Sequence, residues 1–309
     1  METAQTCPCC GSPDLDAYPA VVAPFIASYV FGRAPWPTSL LECRGCGFRF
    51  YEGRLDRAEE ARLYAGYRGE RYFRERHRFE WWYGRKANDA LGSDPAELAF
   101  RRQRMSAVLA AAPGLGPVRS VLDYGGDRGQ FIPEGLGQER YVLDLSGAEP
   151  LPGVTGLRQA ADLGPGRTVD LVMLCNVLEH SSDPAALLAE AGRLLAPGAW
   201  LYVELPLERY RLGCLGRGPW QRRYLEALCR HPAWLGWVDF YSSAFRVKAN
   251  LLPPLGLLKA HEHLNFFHPA SLTRLLQAGG FAVAHCGPSP NQGAGKAFPT
   301  ALLAVAKKL

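Results

Sequence analysis

No stretch of this 309-residue sequence is apolar for long enough to cross a bilayer. The longest near the start, AVVAPFIASYVF, falls short of the roughly 20 residues that a spanning helix needs. The amino terminus also lacks a basic start, an apolar middle and a small-residue cleavage site, so the expectation is a cytoplasmic, unsecreted chain. A strong charge excess is missing too. The formal net charge of +5 suits an acidic small substrate at least as well as nucleic acid, and decides neither. There is no internal repeat and no low-complexity tract. What is present is a globular composition, 48% hydrophobic and 21% charged, with enough residues for one large core or two modest domains.

Nine cysteines would suggest disulfides in a small secreted chain, but here five of them crowd the first 55 residues as CPCCG (7–11) and CRGCG (43–47). Two cysteines three apart can hold one metal ion, and the glycine after the second permits the turn that aims backbone N–H groups at the sulfurs. Two such units close a tetrahedral all-thiolate site, with Cys7, Cys10, Cys43 and Cys46 as ligands of a structural Zn2+. Cys9 is surplus, because only the 7/10 pair reproduces the 43/46 spacing and its trailing glycine. The alternatives are free thiols or a disulfide. A zinc ribbon can also bind nucleic acid, but ECRGCGFRFYEGR carries three arginines and two glutamates, so that use is secondary.

Beyond this module, residues 56–112 are rich in arginine and aromatics and read as helices. YAGYRGERYFRERHRFEWWYGRK resembles a stacking platform for single-stranded nucleic acid, yet Tyr72, Phe79 and Tyr83 recur at spacings of seven and four, which favours an amphipathic helix. From Val118 onward SVLDYG, RYVLDL, VDLVMLCNV, AWLYVELP, FAVAHCG and ALLAVAKK read as strands. DRGQFIPEGL, DPAALLAEAGRLLAP and PASLTRLLQAGG read as helices between them. That alternation implies an α/β fold with a parallel sheet covered on both faces. The expected organisation is a zinc-binding module (1–55), a helical linker or lid (56–112) and a third domain (113–309) interrupted by an insertion at 207–260.

VLDYGGDRGQF (121–131) follows a strand and is expected to open a helix. As a dinucleotide loop, G-x-G-x-x-G from Gly125, it would place Asp127 where the backbone must approach a pyrophosphate, anion against anion. The other spacing, D-x-G-x-G-x-G from Asp123 to Gly129, resembles the class I S-adenosylmethionine-dependent methyltransferases, with Asp127 at the middle glycine. A sulfonium amino acid carries no phosphate there, so an aspartate is tolerable, and Asp enters left-handed backbone more readily than most residues. Asp144, 21 residues after Asp123, is placed to accept both ribose hydroxyls. Asp162 in QAADL precedes the next strand and can accept from the adenine amino group, and LCNVLEHSSDP (174–184) ends that strand.

Together with HEHLNFFHPASL and the paired CxxCG units, these segments are similar to bacterial class I methyltransferases that carry an amino-terminal zinc module. The resemblance implies a Rossmann-like seven-stranded sheet whose last strand, near ALLAVAKK, runs antiparallel. It implies S-adenosylmethionine contacts from Asp123, Gly125, Asp127, Gly129, Asp144 and Asp162, with Asn176 beside the methyl donor, and a helical lid bringing Tyr64, Tyr67 or Tyr72 to substrate.

Methyl transfer is an in-line displacement that often needs a base at the acceptor, a task histidine suits. The candidates are Glu179-His180 and the group His261, Glu262, His263 and His268. Some zinc-module sugar C-methyltransferases have a similar Glu-His pair, so the resemblance gives Glu262, His263 and His180 the catalytic roles. The chain departs from them in having Ala260 where a tyrosine usually stands, and it is expected to do without the further large domain that they carry. Arg209, Arg211, Arg217, Arg222, Arg223 and Arg230 suit a phosphorylated, carboxylated or nucleotide-linked acceptor, and equally a solvated face or an oligomer surface. The expected function is methylation of a small polar metabolite, a sugar or nucleotide-activated sugar. The alternatives are RNA methylation and a non-catalytic binding protein.

Overall fold

The structure is a computed structural model that describes residues 2–90, 92–208, 211–212, 216, 218–289 and 299–309. It divides into two compact units, Met1–Asp89 with Glu208–Phe266, and Ala90–Leu207 with Phe267–Leu309.

The second unit is built on seven strands, labelled in chain order β1 (Ser120–Tyr124), β2 (Glu139–Leu143), β3 (Thr155–Leu157), β4 (Val169–Cys175), β5 (Leu195–Pro206), β6 (Phe281–Ser289) and β7 (Ala301–Lys308). Their order in the sheet is β6-β7-β5-β4-β1-β2-β3. The pairs from β5 to β3 are parallel, and β7 runs antiparallel to both its neighbours. The apolar runs explain the centre: β4 reads VDLVMLC and is almost wholly buried, as a parallel strand covered on both faces must be. Three helices, Pro95–Ala110, Pro184–Leu194 and Pro269–Ala278, share one entry device. Each has Pro in its first turn, where the missing N–H costs nothing, after a residue whose side chain accepts from the first-turn backbone. Those caps are Asp94, Asp183 and His268.

One expected element is absent. DRGQFIPEGL (127–136) forms successive turns and no helix. Pro133 cannot donate to a helical ladder, and Gly129, Gly135 and Gly137 all take positive φ, which an α-helix cannot accommodate. The three-residue edge strand β3 was not legible in the sequence.

The first unit carries a five-stranded sheet in the order Lys259–Ala260, Leu15–Val22, Pro37–Cys43, Arg49–Tyr51, Asn265–Phe266. One edge strand ends the expected insertion and the other follows it: Lys259–Ala260 pairs parallel with Leu15–Val22, and Asn265–Phe266 antiparallel with Arg49–Tyr51. One apolar cluster joins Phe25, Ile26, Tyr51, Leu63 and Tyr72 to Leu252, Leu258 and Leu264. The proposed boundaries at 55 and 112 therefore differ from the observed ones. A 55-residue module buries too little by itself, and the 208–266 segment completes its sheet and core. The helices of 56–112 divide at Asp89, with Pro95–Ala110 belonging to the second unit.

Candidate functional site

In the second unit, the loop after β1 is held by the very residues its motif contains. Gly125 and Gly129 take φ of +70° and +77°. Asp127 also lies in the left-handed region, at +54°, so it fills the glycine position as a residue type able to do so. Its backbone N–H donates to Asp144 Oδ2 at 2.9 Å, and its carboxylate Oδ2 accepts from Gln130 Nε2 at 3.3 Å. Asp127 thus holds the turn with both backbone and side chain. Gly126 is required for space: a Cβ there would sit 2.1 Å from Asp123 Cγ.

Asp123 is fully buried, and neither of its carboxylate oxygens receives a hydrogen bond from a described residue. Burial pushes its pKa up to about 7, against the opposing pull of Arg101, while Asp144 and Asp127 add to the rise. Asp144 ends β2, with Oδ1 accepting from Ser146 N–H at 2.7 Å and Oδ2 from Asp127. Each oxygen keeps a further lone pair for another donor. Asp162 is exposed and caps a 3-10 turn, Ala160–Leu163. Its Oδ2 accepts from Arg158 and Gln159 N–H and its Oδ1 from the Gln159 side chain, bonds that hold its carboxyl below the ordinary range.

β4 and β1 lie side by side, so Asn176, just past β4, stands beside the loop; a Cβ on Gly125 would meet Val177 at 2.8 Å. Asn176 has φ of +59°, and its N–H donates to Glu204 O at 2.8 Å. His180 follows four residues later, half-buried, with Nε2 3.9 Å from Glu179 Oε1.

Sequence reasoning missed a buried ion cluster in this unit. Arg101 Nε and Arg104 Nη2 each lie 2.7 Å from Glu204 Oε1, and Tyr202 donates to Glu204 Oε2 at 2.9 Å. All three charged side chains are buried. The signals were an acid inside the otherwise apolar β5 and an Arg pair three apart on a helix. Gln130 was missed as well: it bonds to Asp127, Arg128 N–H and Gly92 O.

In the first unit the four predicted thiols converge. Cys7, Cys10, Cys43 and Cys46 have their sulfurs within 4.8 Å of one another, with Cys7–Cys46 at 3.6 Å and Cys10–Cys43 at 3.5 Å. Sulfurs around a tetrahedral zinc lie about 3.8 Å apart, whereas a disulfide bond is about 2.05 Å. The donor set and spacing fit a tetrahedral thiolate-binding metal. The two knuckles repeat one turn: Gly11 N–H donates to Cys7 O and Gly47 N–H to Cys43 O, each glycine in the left-handed region.

The segment 261–263 runs between the two edge strands of this unit's sheet. Glu262 is buried; Tyr67 OH donates to its Oε2 at 3.4 Å, and Arg76 Nη1 lies 3.6 Å from the same oxygen. Burial raises its pKa to about 7, with His263, Arg68 and Tyr67 opposing. A tyrosine distant in sequence thus supplies a phenol at Glu262, although Ala260 occupies the local position. His263 is half-buried, with Nδ1 3.2 Å from Glu208 Oε2. His261 stacks on Phe25, and burial lowers its pKa to about 3, which keeps it neutral. His268, in the second unit, is the helix cap described above. His180 and the pair Glu262–His263 fall in different units. Of the insertion's arginines, Arg211 bridges to Leu251 through its backbone, Arg222 pairs with Glu226 at 3.6 Å, and Arg223 and Arg230 are exposed. Arg209 and Arg217 lie outside the described residues.

Comparison with curated proteins finds no match. Several solved structures are similar. One is the 1,6-didemethyltoxoflavin-N1-methyltransferase of Burkholderia thailandensis, solved with 1,6-didemethyltoxoflavin and S-adenosylhomocysteine. It is 19% identical, with TM-score 0.43 over 75% of this chain and 86% of that one. The N-methyltransferase NodS of Bradyrhizobium japonicum WM9, in complex with S-adenosylhomocysteine, is 14% identical, with TM-score 0.37 over 67% and 86%. A S-adenosylmethionine-dependent methyltransferase of Mesorhizobium loti is 19% identical, with TM-score 0.38 over 66% and 96%. Membership rests on none of these. The family model of the methyltransferase domain matches residues 97–286, more than half of the chain, including strands β1 to β5 and the start of β6. The chain therefore belongs to the methyltransferase-domain family and is a methyltransferase.

Proposed function

We propose that this protein methylates a small polar metabolite, a sugar or nucleotide-activated sugar, in the cytoplasm. S-adenosylmethionine supplies the methyl group as an electrophile on a sulfonium centre. Asp144 accepts the ribose hydroxyls with its remaining lone pairs, and Asp162 accepts from the adenine amino group. The loop backbone at Gly125, Asp127 and Gly129 and the side chain of Asn176 flank the methionine portion. Asp123, a buried carboxylate that receives no hydrogen bond from a described residue, suits a cationic ligand carrying an ammonium.

The observation that carries the catalytic reading is the Glu262–His263 pair. Glu262 is buried with a pKa near 7, and His263 has its Nδ1 against a carboxylate. A carboxylate partner at Nδ1 fixes the tautomer and leaves Nε2 as the basic nitrogen. His263 Nε2 takes the acceptor's proton at a carbon or oxygen, and Glu262 orients the acceptor with Tyr67 and Arg76 holding its carboxyl. His180 acts at the end of β4 on the same reaction. One Zn2+ bound by Cys7, Cys10, Cys43 and Cys46 is structural, since all four positions are protein thiolates.

Calorimetry with S-adenosylmethionine and S-adenosylhomocysteine tests the cofactor; binding of neither refutes the proposal. Mass spectrometry of reactions with nucleotide sugars tests the acceptor, and a panel without methylated product refutes that part. His263→Ala is expected to slow turnover by about 10²–10⁴-fold with S-adenosylhomocysteine affinity kept. Unchanged turnover would remove His263 as the base.

A further inference from the structure

We propose that the exposed face of the Pro232–Ala249 helix, with Trp81 beside it, is a docking surface for an anionic lipid bilayer. Trp234, Trp237, Tyr241, Phe245 and Lys248 follow one another at spacings of three, four, four and three, which puts them on one face of the helix. The opposite face, with Leu235, Asp239 and Ser242, packs into the first unit. The aromatic face remains open to solvent: Trp234 is 68% exposed, Trp237 59%, and both Tyr241 and Phe245 are exposed. Trp81, 48% exposed, extends the patch, with its ring centroid 5.3 Å from Trp237 and 4.9 Å from Phe240. Beside them a cavity of about 690 Å³ is lined by Pro24, Phe79, Trp81, Pro232 and Trp237. A contiguous exposed aromatic patch of this kind marks an interaction surface.

Two observations choose the occupant. The large rings of the face are Trp, Tyr and Phe, the amphipathic side chains that settle at the headgroup level of a membrane. The charges complement an anionic surface. Asp239 is the helix's single carboxylate, and it is buried with Lys259 Nζ 2.8 Å away. Exposed charges at the ends are basic, Arg230 just before the helix and Lys248 in its last turn. A second copy of this chain would bring the same cations against themselves, which disfavours a self-complementary contact. Among the described residues no helix is long and apolar enough to span the bilayer, so the contact would be peripheral.

Sedimentation of the full chain with vesicles tests this, using phosphatidylcholine alone and phosphatidylcholine with equal phosphatidylglycerol. Binding is expected to the anionic vesicles, weakening as salt screens the charges. Trp234→Ser with Trp237→Ser and Phe245→Ser should reduce binding at least about tenfold. Arg230→Gln and Lys248→Gln should each weaken it by about fivefold. An unchanged melting temperature certifies that the variants fold. If the triple variant does not fold, quenching of the native tryptophans by brominated lipid and the two charge variants decide. No sedimentation with anionic vesicles, or full binding by the folded triple variant, overturns the proposal. So does a protein dimer that the triple variant dissolves, because a second copy would then cover the face.

Discussion

Replacing Asp123 by Asn should change how stability depends on pH before it changes anything else. The folded pKa of Asp123 is about 7, against 3.8 for the free side chain. For a group whose pKa is raised on folding, the stabilising contribution is complete below about pH 3.8. It is lost as pH rises towards about 7 and constant beyond. With those two values, the loss between about pH 5 and about pH 7.5 is about 2.5 kcal/mol. For a unit of this size that corresponds to roughly 5–10 °C in melting temperature. Other buried groups titrate in the same window. Glu262 is also raised and adds a loss on going up in pH, whereas His261 is depressed and loses stability as pH falls from 6.5 towards 3. The informative quantity is therefore the difference between wild type and Asp123→Asn. Asn keeps the shape beside Gly126 but has no proton to lose. Calorimetric melts of the ligand-free protein at both pH values should show the wild type losing about 2.5 kcal/mol more than the variant on going up in pH. An identical pH slope for the two proteins would show that Asp123 ionises normally.

Other perturbations follow from the same geometry. Gly126→Ala forces a methyl group to within 2.1 Å of the Asp123 carboxyl carbon, so S-adenosylhomocysteine affinity measured by calorimetry should fall at least about tenfold, with destabilisation of about 1–3 kcal/mol. Unchanged affinity would mean that the loop is free to shift. Glu204→Leu leaves Arg101 and Arg104 buried without their shared counter-charge, a loss of about 3–5 kcal/mol in denaturant unfolding. A loss under about 1 kcal/mol would show that water or another acid compensates. Metal analysis should find about one zinc per chain, and Cys43→Ser should release it and lower the melting temperature of the first unit. A metal-free wild type that melts cooperatively would contradict the zinc assignment.

The glycine loop shows where a sequence pattern is sufficient. Asp127 could be read as a left-handed turn residue because φ preference is a property of one residue and its neighbours, and it lies at +54°. Each cysteine knuckle is legible for a related reason, being a local turn closed by its own glycine, while the pairing of Leu15 with Cys43 brings the two knuckles together. The central strands are legible as short apolar runs, since a parallel sheet buries both faces, whereas their order in the sheet is a tertiary outcome. The expected helix at 127–136 failed on residues already visible, Pro133 and the glycines around it, whose combined effect on the ladder outweighed the pattern.

What the sequence could not supply were pairings between distant segments. Nothing local tells that Lys259–Ala260 and Asn265–Phe266 border the amino-terminal sheet, or that Tyr67 reaches Glu262. The same holds for Arg101 and Arg104 meeting Glu204 about a hundred residues later, because a lone buried charge is costly and only the folded core decides which partner lies within reach. By itself the sequence determined the glycine turns, the strand pattern and the two cysteine knuckles, all set by short-range sterics and periodicity. Only the tertiary structure decided where the two units divide and which partners the buried acids meet, because burial and charge partnership are properties of segments far apart in the chain.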